Sequence, residues 1–165
     1  NGMIKQGNKI SNWGKNIYVK VPITNSKGKF MGRVIKMLNK NKIKLNITAV
    51  YSSKQTRQIL KNIDKKTNVI ISIFAGRMAD VGIDPIPQFT DSIRAAKNYK
   101  NVKILWASTR EPYNYLQAKK IGCQIITAPP SIIEKIEKFG KNVKQLTMST
   151  VKGFLLDSKK SEFDL

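Results

Sequence analysis

The sequence predicts an α/β fold in which about five parallel strands and their helices form part of a (β/α)8 barrel. Short branched-aliphatic runs alternate with amphipathic helical segments along the chain. Successive strands follow one another after roughly 20–35 residues, as connections between parallel strands require. This alternation is typical of a parallel sheet covered by helices. Polar residues also recur on one face of successive strands, which favours a barrel because its second face lines a lumen.

The first half of the chain contains three predicted strands. β-branched residues at alternate positions predict the strands, and apolar residues three and four apart predict the helices. The helix at 29–39, for example, repeats Phe30, Val34 and Leu38. After a polar segment at 1–15, which resembles the end of an earlier helix, the predicted elements are a strand at 16–23, a helix at 29–39, a strand at 45–51, a helix at 53–63 and a strand at 69–75.

The second half adds two strands and ends in helices. Gly122 ends one helix, and the spacing of Ser131 and Glu134 predicts a capping box. The chain is predicted to be one domain, 1–165, with a charged tail at 157–165. After a long loop, the predicted elements are a helix at 88–99, a strand at 102–108, a helix at 112–120, a strand at 124–128, a helix at 131–140 and an amphipathic stretch at 143–156.

The chain is strongly basic, with a net charge of +21 from 31 Lys+Arg and 10 Asp+Glu. Such a charge raises affinity for phosphate-bearing partners, including nucleic acid. The lysines, however, are scattered over every predicted helix, and no RNA-recognition strand signature, zinc-finger spacing or basic tail is present. We therefore interpret the charge as a solvated helical surface and expect no nucleic-acid partner.

The numbers of cysteine and histidine residues limit the chemistry that this chain can carry out. The sequence contains one cysteine, Cys123, and no histidine. These counts exclude a catalytic triad, a Cys-His pair and a histidine-bearing zinc site. A single cysteine fits a reducing compartment, so we expect a cytoplasmic protein. No apolar run reaches the roughly 18 residues of a membrane span, so no membrane partner is expected.

Two folds compete for this element order. An open doubly wound sheet is complete at five strands, whereas a (β/α)8 barrel typically needs about 250 residues. A nucleotide-binding open sheet usually carries a glycine-rich phosphate loop, and neither G-x-G-x-x-G nor G-x-x-x-x-G-K is found here. Because polar residues recur on only one face of the strands, we predict that the chain forms part of a barrel and not an open doubly wound sheet.

Lys20 is the most unusual residue of the predicted strands. It lies between Val19 and Val21, and its side chain points away from these aliphatic residues. Desolvation in a dry lumen would disfavour its ammonium form and leave a nucleophilic amine that can form a Schiff base. The alternative is an edge-strand lysine that reaches solvent, and the strand by itself favours that interpretation.

Further candidate residues follow at corresponding places on later strands. Their hydroxyl and amide groups suit sugar hydroxyls or a catalytic water, and arginines at strand ends suit phosphate. These residues are Asn46 and Thr48 on the second strand, Ser72 and Phe74 on the third with Arg77 beyond it, and Ser108 and Arg110 at the end of the fourth. On the fourth strand, Trp106 is predicted on the face of Ser108, with Leu105 and Ala107 on the apolar face.

These residues carry a resemblance to the transaldolase family, which includes the fructose-6-phosphate aldolases. Val-Lys-Val-Pro-Ile-Thr at 19–24 resembles the Schiff-base lysine motif of the family. Residues 45–52, 72–77 and 107–110 resemble its following motifs in the same order, with Ile73 replacing the usual proline. The resemblance covers nearly the whole chain.

The resemblance implies a function. Lys20 would form a Schiff base with a ketose phosphate and pass its dihydroxyacetone unit to an aldose phosphate, a reaction of the pentose phosphate pathway. Asn46 and Thr48 would orient substrate and a catalytic water, and the other candidates would bind substrate, with Ser108 and Arg110 on the phosphate. Sugar phosphates are the expected partners, and the family uses no metal or organic cofactor. Phe74 favours transaldolase, because aldolase members tend to carry a tyrosine there.

The chain also departs from the family pattern. Members carry three strands before the lysine strand, including a catalytic aspartate, and none of these is recognisable here. We therefore expect an N-terminally truncated chain that is inactive by itself, with an active parent protein. Two exposed sheet edges would make it aggregate or pair, so a homo-oligomer is compatible with the sequence. The alternatives are a fructose-6-phosphate aldolase and, outside enzymes, a basic polyanion-binding domain.

Overall fold

A computed structural model describes residues 2–161 and shows the predicted α/β fold in them. The strands are β1 (Val19–Pro22), β2 (Leu45–Val50), β3 (Val69–Phe74), β4 (Val102–Ala107) and β5 (Ile125–Ile126). The helices are α1 (Gly2–Ser11), α2 (Gly32–Lys40), α3 (Ser53–Leu60), α4 (Ala75–Ala79), α5 (Ile86–Ala96), α6 (Tyr113–Lys120), α7 (Pro130–Glu137) and α8 (Val143–Lys160).

The strands form one parallel sheet in sequence order, β1-β2-β3-β4-β5. Lys20 of β1 lies opposite Asn46 of β2, and Ser72 of β3 lies opposite Leu105 of β4. Within residues 2–161 each strand pairs only with its sequence neighbours, so β1 and β5 are the two edges of an open sheet. The prediction of about five parallel strands is confirmed.

One face of the sheet packs against helices and forms the core. Val21, Ile47 and Ile71 belong to a single cluster of buried residues that also contains Leu38 of α2 and Ile59 of α3. These strand residues share the parity opposite to Lys20, Asn46 and Ser72, because strand side chains alternate between faces. The helices therefore cover one face of the sheet, and the polar candidates lie on the other.

The orientation predicted for the fourth strand is wrong. Trp106 is buried at 1% exposure and stacks on Phe89 of α5, with ring centroids 4.5 Å apart. Leu105 and Ala107 instead share the face of Ser72 and Phe74, as their pairing shows. Ser108 has φ +66°, a left-handed conformation that interrupts the alternation of faces after β4. The rule of alternation therefore fails between Trp106 and Ser108.

The N-terminus of α7 also differs from the prediction. Ser131 does not cap it, because the N-cap residue is Pro129 and no side-chain cap bond forms there. Pro130 is the first helical residue, a position that the fixed φ of proline suits, so the helix begins before Ser131. Capping boxes form instead at Ser52 with Gln55, before α3, and at Asn142 with Gln145, before α8.

Two segments are more helical than predicted. Residues 75–79, predicted as the end of a strand and the start of a loop, form the short helix α4. Helix α8 continues to Lys160, so the predicted charged tail at 157–165 begins inside a helix, and residues 162–165 of it lie outside the described residues. None of the helices in residues 2–161 has the length and hydropathy needed to cross a membrane.

We predict that Phe89→Ala lowers the free energy of unfolding by about 3–5 kcal/mol, because it removes a buried ring and leaves a cavity beside Trp106. Urea denaturation followed by tryptophan fluorescence measures this change. Phe154→Ala is the matched control, since Phe154 is 68% exposed and a substitution there should stay within about 0.5 kcal/mol of wild type. Equal losses for the two variants would contradict the packing described here.

Candidate active site

All the side chains predicted from the sequence to form the site line one cavity of about 340 Å³. This cavity, called the Lys20 cavity below, lies on the sheet face opposite the core that α2 and α3 cover, towards the carboxyl ends of the strands. It is lined by Lys20, Asn46, Thr48, Ser72, Phe74, Arg77, Leu105, Ala107, Ser108, Arg110 and Thr127. Residues up to 107 positions apart in the sequence, Lys20 and Thr127, are brought together by the parallel pairing of the strands.

The floor of the Lys20 cavity contains a hydrogen bond between neighbouring strands. The Ser72 hydroxyl donates to Oδ1 of Asn46 at 2.7 Å. Ser72 is only 3% exposed, so this bond also satisfies a polar group that has little access to water. The bond fixes the Asn46 side chain beside Lys20, its partner across the β1–β2 pair. The amide nitrogen of Asn46 remains as a donor group.

Thr48 carries a buried hydroxyl beside a backbone irregularity. Its Oγ1 has no hydrogen-bond partner among the described residues. The next residue, Ala49, has φ +59°, and the β2–β3 register shifts between Ile47 and Val50. Such bulges commonly lie next to active sites and redirect side chains. Here Val50 turns into the core while Thr48 lines the cavity. An unpartnered buried hydroxyl beside a strained residue is suited to binding a ligand or water.

Phe74 and Arg77 form one side of the cavity. The guanidinium of Arg77 lies 6.0 Å from the centroid of the Phe74 ring, within the range of a cation–π contact. The Tyr51 ring also packs against Phe74, at a centroid distance of 5.9 Å. Phe74 therefore contacts both neighbours, and Arg77 remains exposed at the rim.

Arg110 is held at the rim by an ion pair with Asp80. Its Nε donates to Asp80 Oδ1 at 2.9 Å and its Nη2 donates to Oδ2 at 2.6 Å. These hydrogen bonds from Arg110, together with its charge, hold the pKa of Asp80 below the ordinary value of 3.8. Asp80 therefore stays ionised at neutral pH, and the pair persists until the pH falls through this lowered pKa.

Lys20 is less enclosed than the sequence analysis predicts. It is an exposed residue, so the expected dry lumen is not found around it in residues 2–161. The reason is its position on β1, an edge of the open sheet, where the Lys20 cavity communicates with solvent. The interpretation of Lys20 as an edge-strand lysine that reaches water is correct in this respect, although the same lysine shares a cavity with Arg77 and Arg110.

Sequence reasoning missed four residues of this region. The strand pattern predicts Leu105 and Ala107 on the apolar face, and it gives no role to Thr127 or to Asp80. Thr127 could have been found from its position at the end of β5, because carboxyl ends of parallel strands meet at one side of a sheet. No sequence signal could have paired Asp80 with Arg110, since they are far apart in the chain and meet through tertiary packing.

Comparison with known proteins gives the affiliation of this chain. A family model described as Transaldolase/Fructose-6-phosphate aldolase matches residues 1–165. The chain belongs to the transaldolase/fructose-6-phosphate aldolase family. The fold of this family is the (β/α)8 barrel, and the five parallel strands described here are of that type, although the sheet is not closed within residues 2–161.

Individual members of the transaldolase/fructose-6-phosphate aldolase family are moderately similar. A "Probable transaldolase" of Nitrosopumilus maritimus is 33% identical over 161 residues, which is 96% of this chain and 67% of the relative. A "Probable transaldolase" of Anaeromyxobacter dehalogenans is 31% identical over 160 residues, with 96% and 68% covered. One of the same name from a Sulfurihydrogenibium species is 34% identical over 140 residues, with 83% and 60% covered. The chain thus spans about two thirds of the length of the first two.

We predict different changes in the free energy of unfolding for two hydroxyl deletions in the Lys20 cavity. Thr48→Val should leave the free energy of unfolding within about 0.5 kcal/mol of wild type, or raise it, because a buried hydroxyl without a partner is unfavourable. Ser72→Ala should lower it by about 1 kcal/mol, because it breaks the bond to Asn46. Urea titrations of the two variants test this. A larger loss for Thr48→Val than for Ser72→Ala would contradict the described bonding.

Proposed function

We propose that the protein is a transaldolase that carries a dihydroxyacetone unit on Lys20 as a Schiff base and transfers it from a ketose phosphate to an aldose phosphate. The observation that supports this most is the Lys20 cavity itself. It gathers one lysine, two arginines and several neutral hydroxyl and amide groups on one face of a parallel sheet. This combination suits a polyhydroxylated ligand with a carbonyl at one position and a phosphate at another.

The chemistry begins with the Lys20 amine and the ketone carbon of the donor sugar. The nitrogen lone pair adds to this carbon, and loss of water gives an iminium. The bond between C3 and C4 then breaks, its electron pair enters the iminium, and the hydroxyl at C4 gives up its proton to become an aldehyde. An aldose phosphate leaves, and a three-carbon enamine stays on Lys20.

The second half of the reaction reverses these steps with another aldehyde. The enamine carbon adds to the carbonyl carbon of the acceptor aldose phosphate, and the carbonyl oxygen takes up a proton. Water then hydrolyses the iminium, which frees the new ketose phosphate and regenerates the amine. No electrons are gained or lost overall, so the proposed cycle is balanced by water and protons.

Neutral groups around Lys20 are assigned to orientation and proton transfer. The unpartnered hydroxyl of Thr48 is suited to hold the water that leaves and re-enters during iminium formation and hydrolysis. Asn46, fixed by Ser72 at 2.7 Å, is suited to hold a sugar hydroxyl next to the reacting carbon. Ordered donors of this kind are effective because they need no reorganisation during the reaction.

The rim of the cavity is assigned to the phosphate. Arg77 and Arg110 both line it, together with Ser108, and guanidinium groups bind phosphate oxygens through paired hydrogen bonds. The aromatic residue Phe74 has no hydroxyl that could relay a proton, which supports transfer over simple aldol cleavage. We also assign this enzyme to the cytoplasm, because its single cysteine suits a reducing compartment.

Borohydride trapping tests the proposal. We predict that the protein incubated with fructose 6-phosphate or with unphosphorylated dihydroxyacetone, and then reduced, carries a covalent adduct on Lys20, because borohydride converts the imine into a stable secondary amine. Mass spectrometry of proteolytic peptides locates the adduct. Lys20→Arg, which keeps the charge but lacks a nucleophilic amine, should abolish it.

Lys97→Arg is the matched control for this experiment. Lys97 is also exposed but lies outside the Lys20 cavity, so its substitution should leave the adduct on Lys20 unchanged. An adduct distributed over many surface lysines, or none above the level of Lys20→Arg, would remove the Schiff-base mechanism. In either case the family membership would stand and the assigned chemistry would fall.

A further inference from the structure

Asp80, the residue after α4, binds Arg110 through both carboxylate oxygens at 2.9 and 2.6 Å. Two parallel N–H···O bonds fix the plane of a guanidinium as well as its position. The other arginine of the cavity, Arg77, forms no ion pair among the described residues. Its guanidinium lies 6.0 Å from the centroid of the Phe74 ring, and its charge contributes, after the hydrogen bonds from Arg110, to lowering the pKa of Asp80. The two phosphate-binding candidates are therefore held in different ways.

The ion pair leaves only part of the Arg110 guanidinium for a ligand. The group has five N–H donors in a planar fork, and it can bind oxygens along its side or across its end. Asp80 occupies the side formed by Nε and Nη2. At the end formed by Nη1 and Nη2, Nη1 also donates to the Ser108 carbonyl at 3.5 Å, and one N–H on each of the two nitrogens remains without a partner among the described residues. A phosphate that meets Arg110 from the cavity can use this end.

Asp80 holds Arg110 from outside the cavity. Arg110 lines the Lys20 cavity and Asp80 does not. An anion in the cavity therefore has no need to displace the carboxylate to reach the free end of the guanidinium. Asp80 therefore supports Arg110 and does not compete with the ligand, because a competing carboxylate would lie in the cavity where the phosphate binds.

Helix α4 packs closely against the segment after β4, and this packing allows the contact between Asp80 and Arg110. A Cβ added to Gly76 would lie 1.8 Å from the Ser108 carbonyl oxygen and 2.9 Å from Cγ of Arg110. Only glycine allows so close an approach of the helix to the segment that carries Arg110. The short helix thus brings Arg77 to the cavity and Asp80 to the guanidinium through one rigid turn.

We propose that Asp80 is a positioning residue for phosphate binding, which fixes Arg110 with its free end towards the Lys20 cavity and so favours phosphorylated substrates. This rests on the proposed function, in which the cavity receives a sugar phosphate. Asp80 acts through Arg110 and does not touch the substrate.

Inorganic phosphate is the probe for this role. Isothermal titration of the 165-residue chain at pH 7 and low ionic strength should show weaker phosphate binding by Asp80→Ala, by about three- to fivefold, the range expected from one exposed bidentate pair. Asp80→Asn keeps one acceptor oxygen and should give an intermediate affinity. Asp91→Ala is the control: Asp91 pairs with Arg94 at 3.3 Å outside the cavity, so the same change of charge should alter affinity by less than about twofold.

A second readout separates positioning from damage to the fold. Borohydride trapping of dihydroxyacetone on Lys20 should be the same in Asp80→Ala and wild type, since this ketone carries no phosphate. Unchanged or tighter phosphate binding by Asp80→Ala overturns the proposal, as does a wild-type chain that does not bind phosphate or a variant that loses trapping together with phosphate binding. If wild type fails to trap the ketone while the phosphate effect holds, the Schiff-base function falls and the role of Asp80 stands.

Discussion

The parallel register of β1 to β4 is the constraint on which the site depends. It sets Lys20 opposite Asn46 and Ser72 opposite Leu105, so polar side chains of the same parity meet on one face. The opposite parity is buried beneath the helices, with Ile47 and Ile71 fully inaccessible. A slip of one residue in any strand would exchange the two faces, so burial of the branched aliphatic residues fixes the position of the polar ones.

Two left-handed residues complete this arrangement. Ala49 and Ser108 have φ of +59° and +66° and lie directly after the regular parts of β2 and β4. At each of them the side chains stop alternating regularly between the two faces of the sheet, at the point where the strand reaches the Lys20 cavity. Non-glycine residues are strained in this conformation, and both lie beside cavity residues. The regular sheet supplies rigidity, and its irregular ends direct side chains towards the Lys20 cavity.

Charge is distributed to match this geometry. Lys20, Arg77 and Arg110 line one cavity, and no carboxylate of residues 2–161 is among the residues that line it. Asp80 is bound to Arg110 without lining the cavity, which limits the loss of positive potential while holding the arginine in place. A cavity lined by these three cations favours an anionic ligand over a neutral one. The positive charge of the chain elsewhere lies mainly on exposed lysines, which are distributed over helices and loops.

The sequence by itself determined the α/β element order, the five strands and eight of the eleven residues that line the Lys20 cavity, because periodicity and strand-end position are local properties. It did not determine the orientation of Trp106, since one left-handed residue at Ser108 changes which face follows. Nor could it determine the exposure of Lys20, which depends on whether a neighbouring strand covers β1, or the pairing of Asp80 with Arg110, which depends on α4 packing closely against Ser108. These properties arise from contacts between distant segments, and only the tertiary structure decided them.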